Sequence, residues 1–157
     1  MNFDRADALN EAIRAIGIRH RALAIARLAP LGVHPGHKML LLELEAEGAR
    51  TQAQLAEASG YEAPSITMSI RQLESAGLVK RRPSPDDGRA NLVELTDKGR
   101  ELLPKLRAAW RRVAEESVSG LSATNLDQLT AVLTDLASSL ATTEIPTRDI
   151  PRYETRR

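Results

Sequence analysis

Residues Arg81–Gly99 read RRPSPDDGRANLVELTDKG, and the fold turns on how this stretch is parsed. It opens on basic residues and passes through two prolines and an acidic turn. It then alternates, with Val93 and Leu95 on one side, and closes on Thr96-Asp97, a plausible helix cap with a negative charge at the positive end of the helix that follows. Leu78 to Arg82 predicts one strand and Asn91 to Thr96 a second. Between them Pro83, Pro85 and Asp86-Asp87-Gly88 forbid regular pairing, so the prediction is a hairpin with a wide, exposed tip. The prolines also keep that tip from pairing with other strand edges.

Upstream, Pro64 suits the first turn of a helix that runs to Ser75, with Ile66, Ile70 and Leu73 spaced to face a core. Ser65, Thr67, Met68, Arg71 and Gln72 are left looking outward or sideways. Gly77 suggests a Schellman ending, with Leu73 and Leu78 in hydrophobic contact. Before this helix, Thr51 and Gln54 have the form of a capping box for a short helix that ends at Gly60. Two short helices joined through Gly60 have the spacing of a helix-turn-helix, and the hairpin makes it winged. A further helix starts at Pro35 after His34, carries Met39 to Leu44 and stops at Gly48.

The ends of the chain are helical too. Asp7 to about Leu28 places Leu9, Ile13, Ile16 and Leu23 on one face and Ile18, Ala22 and Ile25 on another, a helix with two apolar sides that need two partners. Pro30 and Gly32 break it. Beyond the wing a helix runs to about Ser119, with Pro104 inside it predicting a bend. Leu121-Ser122 reads as an N-cap with a hydrophobic staple, and Leu126, Leu129, Leu133, Leu136 and Leu140 form a seam that requires another helix. The final EIPTRDIPRYETRR predicts disorder or a loosely docked arm. The expected fold class is mainly α with a small β-hairpin wing.

Composition narrows the chemistry. At 157 residues the chain fits one domain, and 3% aromatic residues leave Leu, Ile, Val and Ala to build the core. Cysteine is absent, which excludes disulfides, thiolate metal sites and thiol redox sensing. The amino terminus has scattered charges and no continuous apolar run, so a cytoplasmic protein with no membrane partner is expected. Net charge is only +1, yet Lys80, Arg81, Arg82 and Arg89 concentrate around the finger. No phosphate-cradling glycine loop, zinc-hydrolase motif or nucleophile and base pair is present, so no enzyme and no cofactor are expected. His34 and His37 lack the further ligands of a metal site.

The order of elements, the LAEASG turn, the RQLESAGLVKRR run and above all DDGRANLVELTDKG resemble the MarR family of winged-helix transcriptional regulators, over roughly Leu9 to Leu140. The resemblance implies a homodimer with residues 1–33 as an N-terminal dimerisation helix and 34–97 as the winged helix-turn-helix. Residues 98–142 would be C-terminal dimerisation helices, and 143–157 a flexible tail. A helix fits the major groove, so Pro64, Ser65, Thr67, Met68, Arg71 and Gln72 are candidate contacts there. Lys80, Arg81, Arg82, Asp87 and Arg89 are the wing candidates. The resemblance puts Arg89 in the minor groove with Asp87 orienting it, and a narrow A·T-rich groove rewards an inserted guanidinium. Arg19, His20, His37 and Trp110 are candidates for the effector cleft of such proteins. The expected partners are a palindromic double-stranded operator and a small-molecule effector that relieves repression. The alternative is a winged-helix protein-interaction module that never grips DNA.

Overall fold

The structure, a computed structural model, describes residues 1–85, 91–121 and 126–143. Helix α1 spans Phe3–Leu28 and is followed by a 3-10 turn, Ala29–Leu31. Helix α2, Pro35–Glu47, leads into a short strand β1, Arg50–Thr51, and helix α3, Gln52–Ser59. Helix α4 is Ala63–Ser75, strands β2 and β3 are Val79–Pro83 and Asn91–Leu95, and helix α5 is Asp97–Ser117. Helix α6 covers Leu126–Thr142. The architecture is mainly α with a small antiparallel sheet, the winged helix-turn-helix expected from the sequence.

Residues up to Ser117 form one compact unit, and the chain from Val118 on forms another. The core of the first unit draws Leu28 from α1, Leu40, Leu41 and Leu44 from α2, and Leu55 from α3. It adds Ile66, Ile70 and Leu73 from α4, Leu78, Val79, Val93 and Leu95 from the hairpin and Leu103 and Leu106 from α5. Each such side chain contributes roughly 1.5–3 kcal/mol by leaving water. Because α1 and α5 feed the same core as the helix-turn-helix, α3, α4 and the hairpin rest on a packed base. An Arg27–Glu116 ion pair (2.7 Å) and an Arg107–Glu45 pair add ties from α5 to α1 and α2.

Element boundaries differ from the sequence reading where a polar contact intervenes. Helix α1 starts at Phe3 rather than Asp7, because the Asn2 side chain accepts the Arg5 N–H at 3.0 Å and caps four further residues. The capping box at α3 is formed: the Thr51 hydroxyl accepts the Gln54 N–H, and the Gln54 side chain accepts the Thr51 N–H. Thr51 also pairs with Leu92, and Arg50 with Val93, so the sheet has three strands in the order β1-β3-β2 rather than two. Pro83, expected in the unpaired tip, sits opposite Asn91 at the end of edge strand β2, where a missing N–H is tolerated. Helix α5 continues across Pro104. The Asp86-Asp87-Gly88 turn, Arg89, the Ser122 cap and residues 144–157 of the tail lie outside the described residues.

The root of the wing is a close backbone junction. Helix α4 ends in a Schellman motif: the Leu78 N–H donates to the Leu73 carbonyl and the Gly77 N–H to Glu74, both at 2.9 Å, with Gly77 at φ +71°. This takes Leu78 out of the strand, so β2 begins at Val79. Thr96 then joins the two ends of the hairpin. Its N–H donates to the Leu78 carbonyl (3.1 Å) and its hydroxyl donates to the Gly77 carbonyl (2.7 Å). The same hydroxyl accepts the Gly99 N–H (3.0 Å) and so caps α5. Gly99 is buried against the Leu78 backbone, and a Cβ there would overlap the Leu78 carbonyl oxygen. Thr96 and Gly99 of the TDKG segment therefore serve one backbone crossing.

Gly99→Ala is expected to destabilise the protein by more than about 2 kcal/mol through backbone displacement at this crossing. Thr96→Val, which keeps shape and removes the hydroxyl, is expected to lose about 1–3 kcal/mol. Urea denaturation followed by circular dichroism measures both, and a midpoint unmoved by Gly99→Ala would refute the close approach.

Candidate nucleic-acid interface

Helix α4 divides cleanly by face. Ile66, Ile70 and Leu73 are buried, whereas Pro64, Ser65, Met68, Arg71 and Gln72 are exposed. The Ser59–Glu62 turn sets its entry: Gly60 N–H donates to the Ala56 carbonyl (3.0 Å), and the Ser59 hydroxyl accepts the Tyr61 N–H (3.2 Å). Pro64 lies in the first turn, which has no intrahelical use for its missing N–H. Thr67 is half-buried and its hydroxyl donates back to the Ala63 carbonyl at 2.9 Å, so the oxygen is already engaged within the helix. Met68 is 56% exposed and stands out from the helix as an apolar contact surface.

Gln72 links this surface to the interior. Its Oε1 lies 3.0 Å from Nε2 of His37, a buried residue of α2. Since Oε1 only accepts, this contact has Nε2 as the donor, and Nδ1 meets no hydrogen-bond partner among the described residues. The His34 ring stacks on His37 with centroids 3.4 Å apart. Burial, then the neighbouring His34, push the His37 pKa down from 6.5 to about 4, partly offset by the Gln72 hydrogen bond. His37 is thus a neutral support beneath α4.

The three consecutive cations of β2 do not form one patch, because strand alternation splits them. Lys80 stands opposite Glu94 in the register, and Arg82 opposite Leu92, two residues away on the same side. Glu94 takes both: Lys80 Nζ is 3.2 Å from one carboxylate oxygen and Arg82 Nε donates to the other at 2.8 Å. These contacts hold the Glu94 carboxyl below its ordinary range, the Arg82 bond contributing most. Arg81 points the other way, half-buried, with Nε 3.5 Å from a Glu74 oxygen at the end of α4. Glu94 and Glu74 were missed in the sequence. The antiparallel register would have exposed the first, but the second needs the helix end folded against the strand.

The candidate effector residues separate. His20 of α1 meets Trp110 of α5 edge-on, with ring centroids 6.0 Å apart. Lys38 of α2, not singled out in the sequence, places its ammonium 4.1 Å from the Trp110 ring, and burial lowers its pKa. His37 belongs instead to the His34 stack and Gln72, and Arg19 is exposed on α1. Among the described residues no cluster of three His, Asp or Glu groups is placed to hold a metal ion, and no helix is long and apolar enough to cross a membrane.

The model of the MarR family matches residues 31–90. A probable transcriptional regulator from Pseudomonas aeruginosa is 30% identical, with a TM-score of 0.75 over 82% of this chain and 96% of that one. The transcriptional repressor CouR, solved on a 23-mer DNA duplex, is 28% identical with a TM-score of 0.77, covering 86% of this chain and 96% of its own. A mutant of MarR from E. coli, solved with operator DNA, shares the fold at 22% identity and a TM-score of 0.75, over 87% and 98% of the two chains.

The depressed His37 pKa gives a pH prediction. The unfolded chain takes up this proton near the ordinary value of 6.5 and the folded chain only near 4. Folding stability is therefore complete above about pH 6.5 and falls towards pH 4, by up to about 3 kcal/mol if no other group intervenes. Denaturation measured across pH 4–7 should show this decline, and His37→Gln should flatten it; equal slopes in the two proteins would refute the assignment.

Proposed function

The chain belongs to the MarR family of winged-helix DNA-binding transcriptional regulators, and on that premise we propose that it binds a palindromic operator as a homodimer and represses transcription until a small ligand releases it. The observation that carries this reading is the two-faced α4, with Ile66, Ile70 and Leu73 fixed in the core while Ser65, Met68 and Arg71 face solvent. In this reading α4 enters the major groove, where Arg71 bonds guanine or phosphate and Met68 meets apolar base edges. The wing lies beside it, with Arg89 inserted in the minor groove and Asp87 orienting it. Gln72 acts from the edge of α4, one end of its side chain held by His37.

Dimerisation is supported by apolar surface at both ends of the chain. On α1, Leu9, Ile16, Ile18 and Ile25 are exposed; on α6, Val132, Leu133 and Leu140 are exposed. A second copy is the occupant that repeats the same deficit, and burying such faces reciprocally is the logic of a two-fold interface. Two recognition helices held by that interface meet half-sites about 10 bp apart centre to centre. Repression follows from occupying a promoter that polymerase needs. A ligand binding near His20, Lys38 and Trp110, where α1, α2 and α5 meet, would favour a dimer geometry whose helices no longer match the groove spacing. The protein acts in the cytoplasm, where its DNA lies.

Sedimentation with and without the promoter duplex next to the gene tests the assembly: a dimer on the duplex is expected, and monomers at saturating duplex would refute it. With about four phosphates neutralised per protomer, log affinity should fall with log salt at a slope near −7. Arg89→Ala should weaken binding and erase A·T preference, and Arg71→Ala should relax discrimination in the major groove by about 1–3 kcal/mol. Equal affinity for operator and scrambled duplexes would instead favour a protein-interaction module.

A further inference from the structure

On one face of the wing a single carboxylate is held by two neighbouring cations. Lys80 and Arg82 stand two residues apart on β2, and Glu94 lies directly across the register from Lys80, bonded to both. The side chains of Lys80 and Arg82 remain 59% and 43% exposed, whereas that of Glu94 is 23% exposed, tucked beneath its two cations. A two-oxygen anion gripped by a lysine and an arginine reproduces the contacts those residues make to a phosphate. We propose that Glu94 is an internal competitor with DNA phosphate for Lys80 and Arg82, so that the wing docks by exchanging an ion pair and grips DNA less tightly than its cation count implies. This rests on the reading above, in which the wing lies against DNA.

The charges set the consequence. Glu94 cancels one of the two positive charges on this face, and Arg81 is turned away towards Glu74, so three adjacent cations present about one net charge to the duplex. Exposed ion pairs of this kind are weak, and a phosphate held close by the recognition helix displaces the carboxylate readily. The exchange makes attachment reversible, which a repressor that must leave its operator requires. The low pKa of Glu94 keeps it ionised, and so in competition, over the whole neutral range.

The test is the salt dependence of binding by the full-length protein to operator and scrambled duplexes. Glu94→Gln is expected to raise affinity severalfold on both and to steepen the log–log slope by about 2 per dimer, one extra effective cation per protomer. Glu115→Gln makes the same change in net charge at an exposed site on α5 and should leave the slope as it was. In a Lys80→Gln/Arg82→Gln background, Glu94→Gln should no longer move the slope. Glu94→Thr, which suits a strand, repeats the measurement should the glutamine variant misfold. An unchanged slope, weaker binding by Glu94→Gln, or the same steepening without the two cations would each overturn the proposal while leaving DNA binding intact. Absence of duplex binding by the unaltered protein would overturn the parent reading and this one with it.

Discussion

The crossing of Thr96 and Gly99 over the Leu78 backbone is the constraint on which the arrangement of this molecule depends. One hydroxyl closes the end of α4 through the Gly77 carbonyl and opens α5 through the Gly99 N–H. The helix that faces solvent with its polar side, the wing and the long helix beyond are thereby referred to one point. Only a residue without a side chain lets the backbones approach this closely. Lys98 adds a clasp, its ammonium 2.7 Å from the Ala76 carbonyl at the end of α4. The end of α4, the base of the wing and the start of α5 are thus tied to one another at a single junction.

Above this junction, polar groups set what apolar packing leaves free. Leucine and isoleucine side chains fix the depth of α4 in the core without defining a unique rotation, since such cores tolerate repacking. The His37–Gln72 hydrogen bond is directional and joins α2 to the edge of α4. Burial beside His34 keeps the imidazole neutral at ordinary pH. On the wing the same kind of local pairing works on charge. Glu94 and Glu74 divide three cations between two faces, so the surface is far less basic than the run Lys80-Arg81-Arg82 implies.

Much of the fold was legible because its signals are local. The Thr51 capping box, the Gly77 Schellman ending, Pro35 at a helix start and the spacing of Ile66, Ile70 and Leu73 each depend on residues within a turn or two of one another. The candidate surface was legible for the same reason, since the buried face of α4 defines its exposed one. Strand β1 was not. Two residues carry no periodicity, and Arg50 and Thr51 become a strand only because Val93 and Leu92 arrive alongside them.

By itself, then, the sequence determined the order of helices and strands, the winged helix-turn-helix and the outward residues of α4, because helical periodicity and capping act over a few residues. Tertiary structure alone decided which charges meet and which polar groups are shared. That Glu74 holds Arg81, that Gln72 reaches His37 and that Lys38 rather than His37 lies over Trp110 follow from segments brought together across the core. Such contacts depend on distances of a few ångströms between elements distant in the chain, and no local pattern of residues encodes those distances.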